Sequence, residues 1–65
     1  MKIEVNGETR EIAANTLADA LNELDWGEAR VATALNGAFV PKAARAQTML
    51  QDGDRLEVLA PMQGG

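Results

Sequence analysis

Two Asn-Gly dipeptides, Asn6-Gly7 and Asn36-Gly37, constrain the fold of this 65-residue chain more than any other feature. Both central positions of the tightest β-hairpin turn need positive φ, and Asn followed by Gly tolerates this conformation best. Each pair lies between short segments in which polar and apolar residues alternate. The sequence therefore predicts two hairpins. Their predicted strands are residues 2–5 and 9–12, then residues 30–35 and 38–40.

Side-chain direction in these strands follows from the two-residue period. In the second hairpin, a two-residue turn places Leu35 opposite Ala38 and Thr33 opposite Val40. We expect one face of the sheet to be buried and the other to be exposed. The predicted inner-facing residues are Ile3, Val5, Val31, Thr33, Leu35 and Val40, and the predicted outer-facing residues are Ala32, Ala34 and Phe39.

A helical stripe follows the first hairpin. Its apolar residues recur at the spacing of one helix face; they are Leu17, Ala20, Leu21 and Leu24. Thr16 or Asn15 can cap the first turn, and Asp19 lies near the positive end of the helix dipole. Gly27 is a natural residue to end the helix.

The rest of the chain reads as a short helix, a turn and a last strand. Pro41 ends the fourth strand, because it has no N–H to donate to a neighbouring strand. Residues 42–47 then predict a short helical turn, and residues 48–50 an extended segment. After a turn at residues 52–54, the last strand covers residues 55–59. In it, Leu56 and Val58 point inward and Glu57 and Leu59 point outward.

The order of these elements, ββαββ with a final strand, defines the expected fold. Both hairpins need a shared partner, so the last strand is expected in the centre of the sheet, between the first and third strands. This is an α+β, ubiquitin-like β-grasp: a mixed sheet of about five strands packed on one main helix. We expect residues 1–60 to form the domain, and residues 61–65 a flexible C-terminal Gly-Gly tail.

The composition excludes several classes of function. With no Cys and no His, the chain offers neither a thiolate nucleophile nor an imidazole base nor the usual zinc ligands. We therefore expect no bound cofactor, no metal site and no autonomous catalysis. The net charge is -4 and the six basic residues are scattered, so nucleic acid is a poor partner. No long apolar segment predicts membrane insertion or secretion, and we expect a cytoplasmic protein.

The C-terminal residues are the candidate reactive segment. Residues 61–65 extend at most roughly 17 Å at about 3.3–3.6 Å per residue, which is enough to enter a partner's active site. Gly64 and Gly65 lack side chains that would block such a channel. Outward-facing Phe39 and Leu59, beside the small Ala32 and Ala34, are the candidate partner face. A frayed terminus and scattered apolar residues are the alternatives.

Three segments together resemble a known family. Residues 31–41 read VATALNGAFVP, residues 50–58 read LQDGDRLEV, and Gly64-Gly65 follows Pro61-Met62-Gln63. Over essentially the whole chain this pattern is similar to the ThiS family, the ubiquitin-like sulfur carriers of thiamine biosynthesis.

The resemblance implies a mechanism and a set of partners. A ubiquitin-activating-like adenylyltransferase of the ThiF type would use ATP to adenylate Gly65. A cysteine-desulfurase relay would supply sulfur, giving a thiocarboxylate. Thiazole synthase of the ThiG type would then take the sulfur. The residues that thread into the partners' active sites would be Gly64, Gln63, Met62 and Pro61.

Three other functions stay open from the sequence. A sulfur carrier for molybdopterin synthesis would use the same tail chemistry. A non-catalytic ubiquitin-like binding module would use the sheet face, with an inert tail. A protein modifier would join its C-terminus to lysine side chains.

Overall fold

The chain folds into two hairpins, a helix, a short 3₁₀ helix and a last strand. The structure is a computed structural model that describes residues 1–27 and 30–60. The elements are β1 (Lys2–Val5), β2 (Glu8–Glu11), α1 (Leu17–Glu23), β3 (Ala32–Leu35), β4 (Ala38–Val40), the 3₁₀ helix (Lys42–Gln47) and β5 (Arg55–Leu59).

Both Asn-Gly pairs form the predicted hairpin turns. Asn6 and Asn36 have φ values of 51° and 52°, and the glycine after each has φ 86°. The predicted register of the second hairpin is confirmed, with Leu35 opposite Ala38. The predicted start of the second strand was wrong by one residue. Because the turn contains only two residues, Glu8 pairs directly with Val5 and β2 ends at Glu11.

The last strand is the centre of the sheet, as the sequence predicted. The strand order is β2-β1-β5-β3-β4. β5 is parallel to β1 and antiparallel to β3, so the sheet is mixed. The expected β-grasp is therefore confirmed in its element order and topology.

The third strand is shorter than predicted, because its partner ends. β5 ends at Leu59, which pairs with Ala32, and β4 reaches only to the level of Thr33. Residues 30 and 31 therefore lie outside the strand. Val31 is still half-buried against the core, in agreement with its predicted inward direction.

The helix forms where the apolar stripe predicted it. The backbone N–H of Asp19 donates to Oγ1 of Thr16 at 3.2 Å, so Thr16 caps the first turn. The predicted end at Gly27 was wrong. Asp25 adopts the left-handed conformation with φ 70°, and the N–H of Trp26 donates to the carbonyl of Leu21 at 2.7 Å. An aspartate can take this conformation and ends the helix two residues before the glycine.

The core lies between α1 and the inner face of the sheet. Trp26 and Leu24 pack against its margin. The 3₁₀ helix, predicted as a helical turn, packs on α1. The buried apolar residues are Ile3, Val5, Ile12, Leu17, Ala20, Leu21, Val40, Leu50, Leu56 and Val58. All of the apolar burial is thus on one side of the sheet, which leaves the outer face open.

A polar cluster lies inside this apolar layer. Thr33 is 1% exposed and Arg45 is 9% exposed. Nε of Arg45 donates to Oγ1 of Thr33 at 3.1 Å, and Nη2 donates to the carbonyl of Val31 at 2.6 Å. The Thr33 hydroxyl donates in turn to the carbonyl of Val40 at 2.8 Å. Thr33 was predicted on the inner face, whereas the burial of Arg45 was not foreseen. The cluster joins the 3₁₀ helix to β3 and β4.

We predict that Thr33→Val destabilises the domain by about 1–3 kcal/mol, because buried Arg45 Nε loses its acceptor. The double variant Thr33→Val/Arg45→Met should cost less than the sum of the two single changes, since it removes both polar partners together. Chemical denaturation of the four proteins measures this difference. Thr9→Val, on exposed β2, is the control and should change stability by less than about 0.5 kcal/mol. Strictly additive costs would contradict the proposed coupling.

Candidate functional site

The end of β5 is the point from which the C-terminal residues depart. β5 has β1 on one side and β3 on the other, and it ends at Leu59. Ala60, which follows, is exposed. The predicted tail residues Pro61, Met62, Gln63, Gly64 and Gly65 lie outside the described residues. Their attachment point is therefore the central strand of the sheet.

The outer face beside this end carries the predicted candidate partner face. Phe39 and Leu59 are 69% and 65% exposed. Phe39 lies opposite Ala34 on the neighbouring strand, and Leu59 lies opposite Ala32. Two large apolar side chains are thus separated by two small ones on the last three strands of the sheet. The structure brings the four predicted residues together on one surface, which we call the apolar face.

Charged residues border the apolar face along β5. Glu57 lies opposite Ala34, on the same side of the strand as Leu59. Arg55 lies opposite Glu4 of β1. The surface therefore changes from apolar on β3, β4 and the end of β5 to charged on the first part of β5 and on β1. Such a boundary gives a docking surface a defined orientation, because only the apolar part gains from losing water.

A shallow concavity of about 280 Å³ lies between the two hairpin turns. Its lining residues are Glu4, Asn6, Gly7, Gly37, Arg55, Leu56 and Glu57. Its volume lies below the usual range of small-molecule pockets, about 300–1,000 Å³. No sequence pattern predicts this concavity, although the two Asn-Gly turns that line it are the clearest signal in the chain.

Asp52 and Asp54, in the turn before β5, have structural roles. The carboxylate of Asp52 accepts from the N–H of Lys2 at 2.7 Å, and that of Asp54 accepts from the N–H of Gln51 at 2.8 Å. Gly53, between them, has φ 90° and forms the predicted turn. Within residues 1–27 and 30–60, no cluster of three potential metal ligands occurs. Both aspartates therefore hold the turn before β5.

None of the helices in the described part of the chain is long and apolar enough to cross a membrane.

The fold and the position of its C-terminal segment define a class of protein. A mixed five-stranded sheet with the last strand in its centre and one main helix on one face is the fold of the ubiquitin-like β-grasp proteins. The comparisons with known proteins assign this chain within that class. A family model described as the ThiS family matches residues 3–65.

Known relatives agree with this match. The sulfur carrier protein ThiS of Escherichia coli is 35% identical over 66 residues, and the alignment covers 100% of both chains. A thiazole synthase of Paramagnetospirillum magneticum is 41% identical over 66 residues, but the chain spans only 20% of that protein's length. The crystal structure of a thiamine biosynthesis protein (ThiS) from Geobacter metallireducens superposes with a TM-score of 0.85, at 30% identity and 100% coverage of both chains.

The chain belongs to the ThiS family. Members of this family are sulfur carriers, which serve partner enzymes as protein co-substrates. The prediction that the chain is not itself an enzyme is thereby confirmed, as is the expected resemblance.

We predict that Phe39→Ser weakens binding to the ThiF-type adenylating enzyme that the sequence resemblance implies, by about tenfold, which corresponds to about 1.4 kcal/mol. Phe39 is exposed, so its replacement should leave the free energy of unfolding nearly unchanged. Titration calorimetry measures the affinity. Met49→Ser is the matched control, because Met49 is 62% exposed but lies beside the N-terminus of α1, paired with Thr16. Equal losses in the two variants would contradict a specific role for the apolar face.

Proposed function

We propose that this chain carries sulfur on the carboxyl group of Gly65 and delivers it for thiazole formation in thiamine biosynthesis. One observation carries the proposal: the C-terminal residues of a ThiS-family chain follow directly from the central strand of the sheet. The alignment with the Escherichia coli carrier over the full length of both chains supports Gly65 as the functional terminus.

The first proposed step activates the carboxylate. A carboxylate oxygen of Gly65 attacks the α-phosphorus of ATP in the partner enzyme, and pyrophosphate leaves. The resulting acyl-adenylate has AMP as its leaving group, which is far better than the oxide that direct substitution would expel. A persulfide from the cysteine-desulfurase relay then attacks the acyl carbon and displaces AMP. Reductive cleavage of the S–S bond by a thiol leaves the Gly65 thiocarboxylate.

In the second proposed step, thiazole synthase uses this sulfur as a nucleophile. A thiocarboxylate is anionic and its sulfur is polarisable, so it attacks electrophilic carbon well. Attachment to a protein keeps the sulfur from diffusing away as sulfide. The final hydrolysis of the acyl bond returns the Gly65 carboxylate, and the carrier can be loaded again.

The division of the chain suits this cycle. In the proposal, residues 1–60 form the domain that docks, and residues 61–65 enter the partner's active site. Pro61, Met62, Gln63 and Gly64 thread the channel, and Gly64 leaves room where a Cβ would collide with its walls. Ordering such a segment costs about 1–2 kcal/mol per residue. We infer that contacts of the apolar face offset this cost.

The proposed partners follow from the chemistry. The Paramagnetospirillum magneticum protein supports thiazole synthase as the sulfur acceptor, because a carrier-like segment occurs there within a protein of that name. This relative also favours thiazole formation over molybdopterin synthesis. Because ATP and the desulfurase relay are needed for loading, we propose that the carrier works in the cytoplasm.

We predict that incubation with a ThiF-type enzyme, ATP, a cysteine desulfurase and cysteine exchanges one terminal oxygen for sulfur. Intact-mass spectrometry detects the exchange, and fragmentation should place it on Gly65. The mapping is essential, because oxidation of Met1, Met49 or Met62 adds nearly the same mass. Gly64→Ala should retain the folded domain but lose sulfur loading, since the added methyl group obstructs the channel.

A chain extended by one alanine after Gly65 is the control for the terminal carboxylate. It should fold normally, remain unloaded, and fail to restore growth without thiamine in a strain that lacks its own carrier. Growth of that strain with the extended chain, or sulfur mapped away from Gly65, would refute the proposal.

A further inference from the structure

The side chain of Asn6 forms two hydrogen bonds with the last strand near its end. Its Oδ1 accepts from the N–H of Val58 at 2.8 Å. Its Nδ2 donates to the carbonyl of Val58 at 3.0 Å. One amide side chain thus satisfies both backbone polar groups of a single residue, three positions before Pro61. Asn6 has this role in addition to its place in the hairpin turn.

The register shows what these two bonds replace. Along the parallel pair of β1 and β5, the N–H of Glu4 donates to the carbonyl of Asp54 at 2.9 Å, and the N–H of Asn6 donates to that of Leu56 at 3.0 Å. If the parallel ladder continued, the N–H of Val58 would donate to the carbonyl of residue 6. The carbonyl of Val58 would accept from the N–H of residue 8. The backbone cannot make them, because the chain reverses at Asn6 with φ 51°. The side-chain amide takes the place of the missing peptide group.

The two side-chain bonds of Asn6 matter because backbone pairing of β5 extends further on one side than on the other. On the β3 side, backbone pairing continues to Leu59, opposite Ala32. On the β1 side, strand pairing ends at Leu56. Asn6 is therefore the lateral restraint on the β1 side for the last residues of the strand. Without it, the end of β5 would be held along one edge only.

We propose that Asn6 is a positioning residue for sulfur loading. Its amide fixes the direction in which the chain leaves β5, and so directs the terminal residues towards the partner's active site while the apolar face is docked. This inference rests on the proposed function for its consequence, but not for its structural basis. Asparagine suits this position for two reasons. It tolerates the positive φ of the turn, and its side chain carries both a donor and an acceptor.

Asn36 provides a matched comparison at the other end of β5. It has φ 52°, precedes Gly37, and its Oδ1 accepts from the N–H of Arg55 at 2.9 Å. Its Nδ2 donates to the carboxylate of Asp54 at 3.1 Å. The turn, the conformation and the number of side-chain hydrogen bonds are therefore alike. Asn36 differs in that it lies farther from the departing chain and that one of its exposed bonds goes to a carboxylate instead of a backbone carbonyl.

The test compares Asn6→Gly with Asn36→Gly in the full chain. Glycine keeps the turn accessible in both cases and removes only the side-chain bonds. Amide hydrogen exchange should accelerate about tenfold or more at Val58 in the first variant, and at Arg55 in the second. With a ThiF-type enzyme, ATP and a sulfur source, Asn6→Gly should lower kcat of loading by about tenfold to a hundredfold with KM nearly unchanged. Asn36→Gly should leave both constants near those of the parent chain.

Several outcomes would overturn the inference. Unchanged hydrogen exchange at Val58 would show that the Asn6 amide does not restrain the strand. This result would refute the inference even if the parent chain takes up no sulfur. Equal kcat losses in both variants, or a change in KM alone, would reduce Asn6 to a turn residue. If Asn6→Gly does not fold, Asn6→Asp replaces it: this variant keeps the acceptor, loses the donor, and should still lower kcat. A normal kcat in a folded Asn6→Asp protein would equally refute the positioning role.

Discussion

The hydrogen bonds on both edges of β5 are the interaction on which the rest of this structure depends. The last strand pairs with β1 from the first hairpin and with β3 from the second, so neither hairpin is joined to the other without it. The sheet can close only when the C-terminal part of the chain inserts between two elements that precede it. The strand that completes the fold is also the strand that leads into the C-terminal residues, on which we propose that sulfur is carried. The stability of the fold and the position of the C-terminal residues therefore depend on the same strand.

The packing on the inner face explains why the outer face remains available. Helix α1 and the 3₁₀ helix cover a single side of the sheet, where the apolar core and the Thr33–Arg45 cluster lie. Without cysteine, no disulfide can stabilise the chain, and the core has to suffice. Phe39 and Leu59 remain on the opposite side, next to the end of β5. A partner that covers them would meet the departing chain at the same place.

Much of the fold could be predicted from local chemistry, and the errors have physical causes. Asn-Gly turns and alternating residues fixed both hairpins, because the conformation they need is local. The helix end was missed because Asp25 adopts a left-handed conformation that glycine usually supplies. The burial of Arg45 could not be foreseen, since it depends on Thr33 and on a carbonyl of a distant segment. The apolar face followed from periodicity, whereas the bonds of Asn6 to Val58 required the register of β1 on β5.

The most direct test follows the carboxyl carbon of Gly65 by NMR in a chain labelled with [1-¹³C]glycine and ¹⁵N. This carbon is distinguishable from the other glycine carbonyls because no amide nitrogen is bonded to it. During loading with the adenylating enzyme, ATP and a sulfur source, its resonance should move to a thiocarboxylate position while the amide resonances of β5 stay in place. The account would be contradicted if the Gly65 carboxyl resonance stayed in place while ATP was consumed, or if only the resonances of other residues changed.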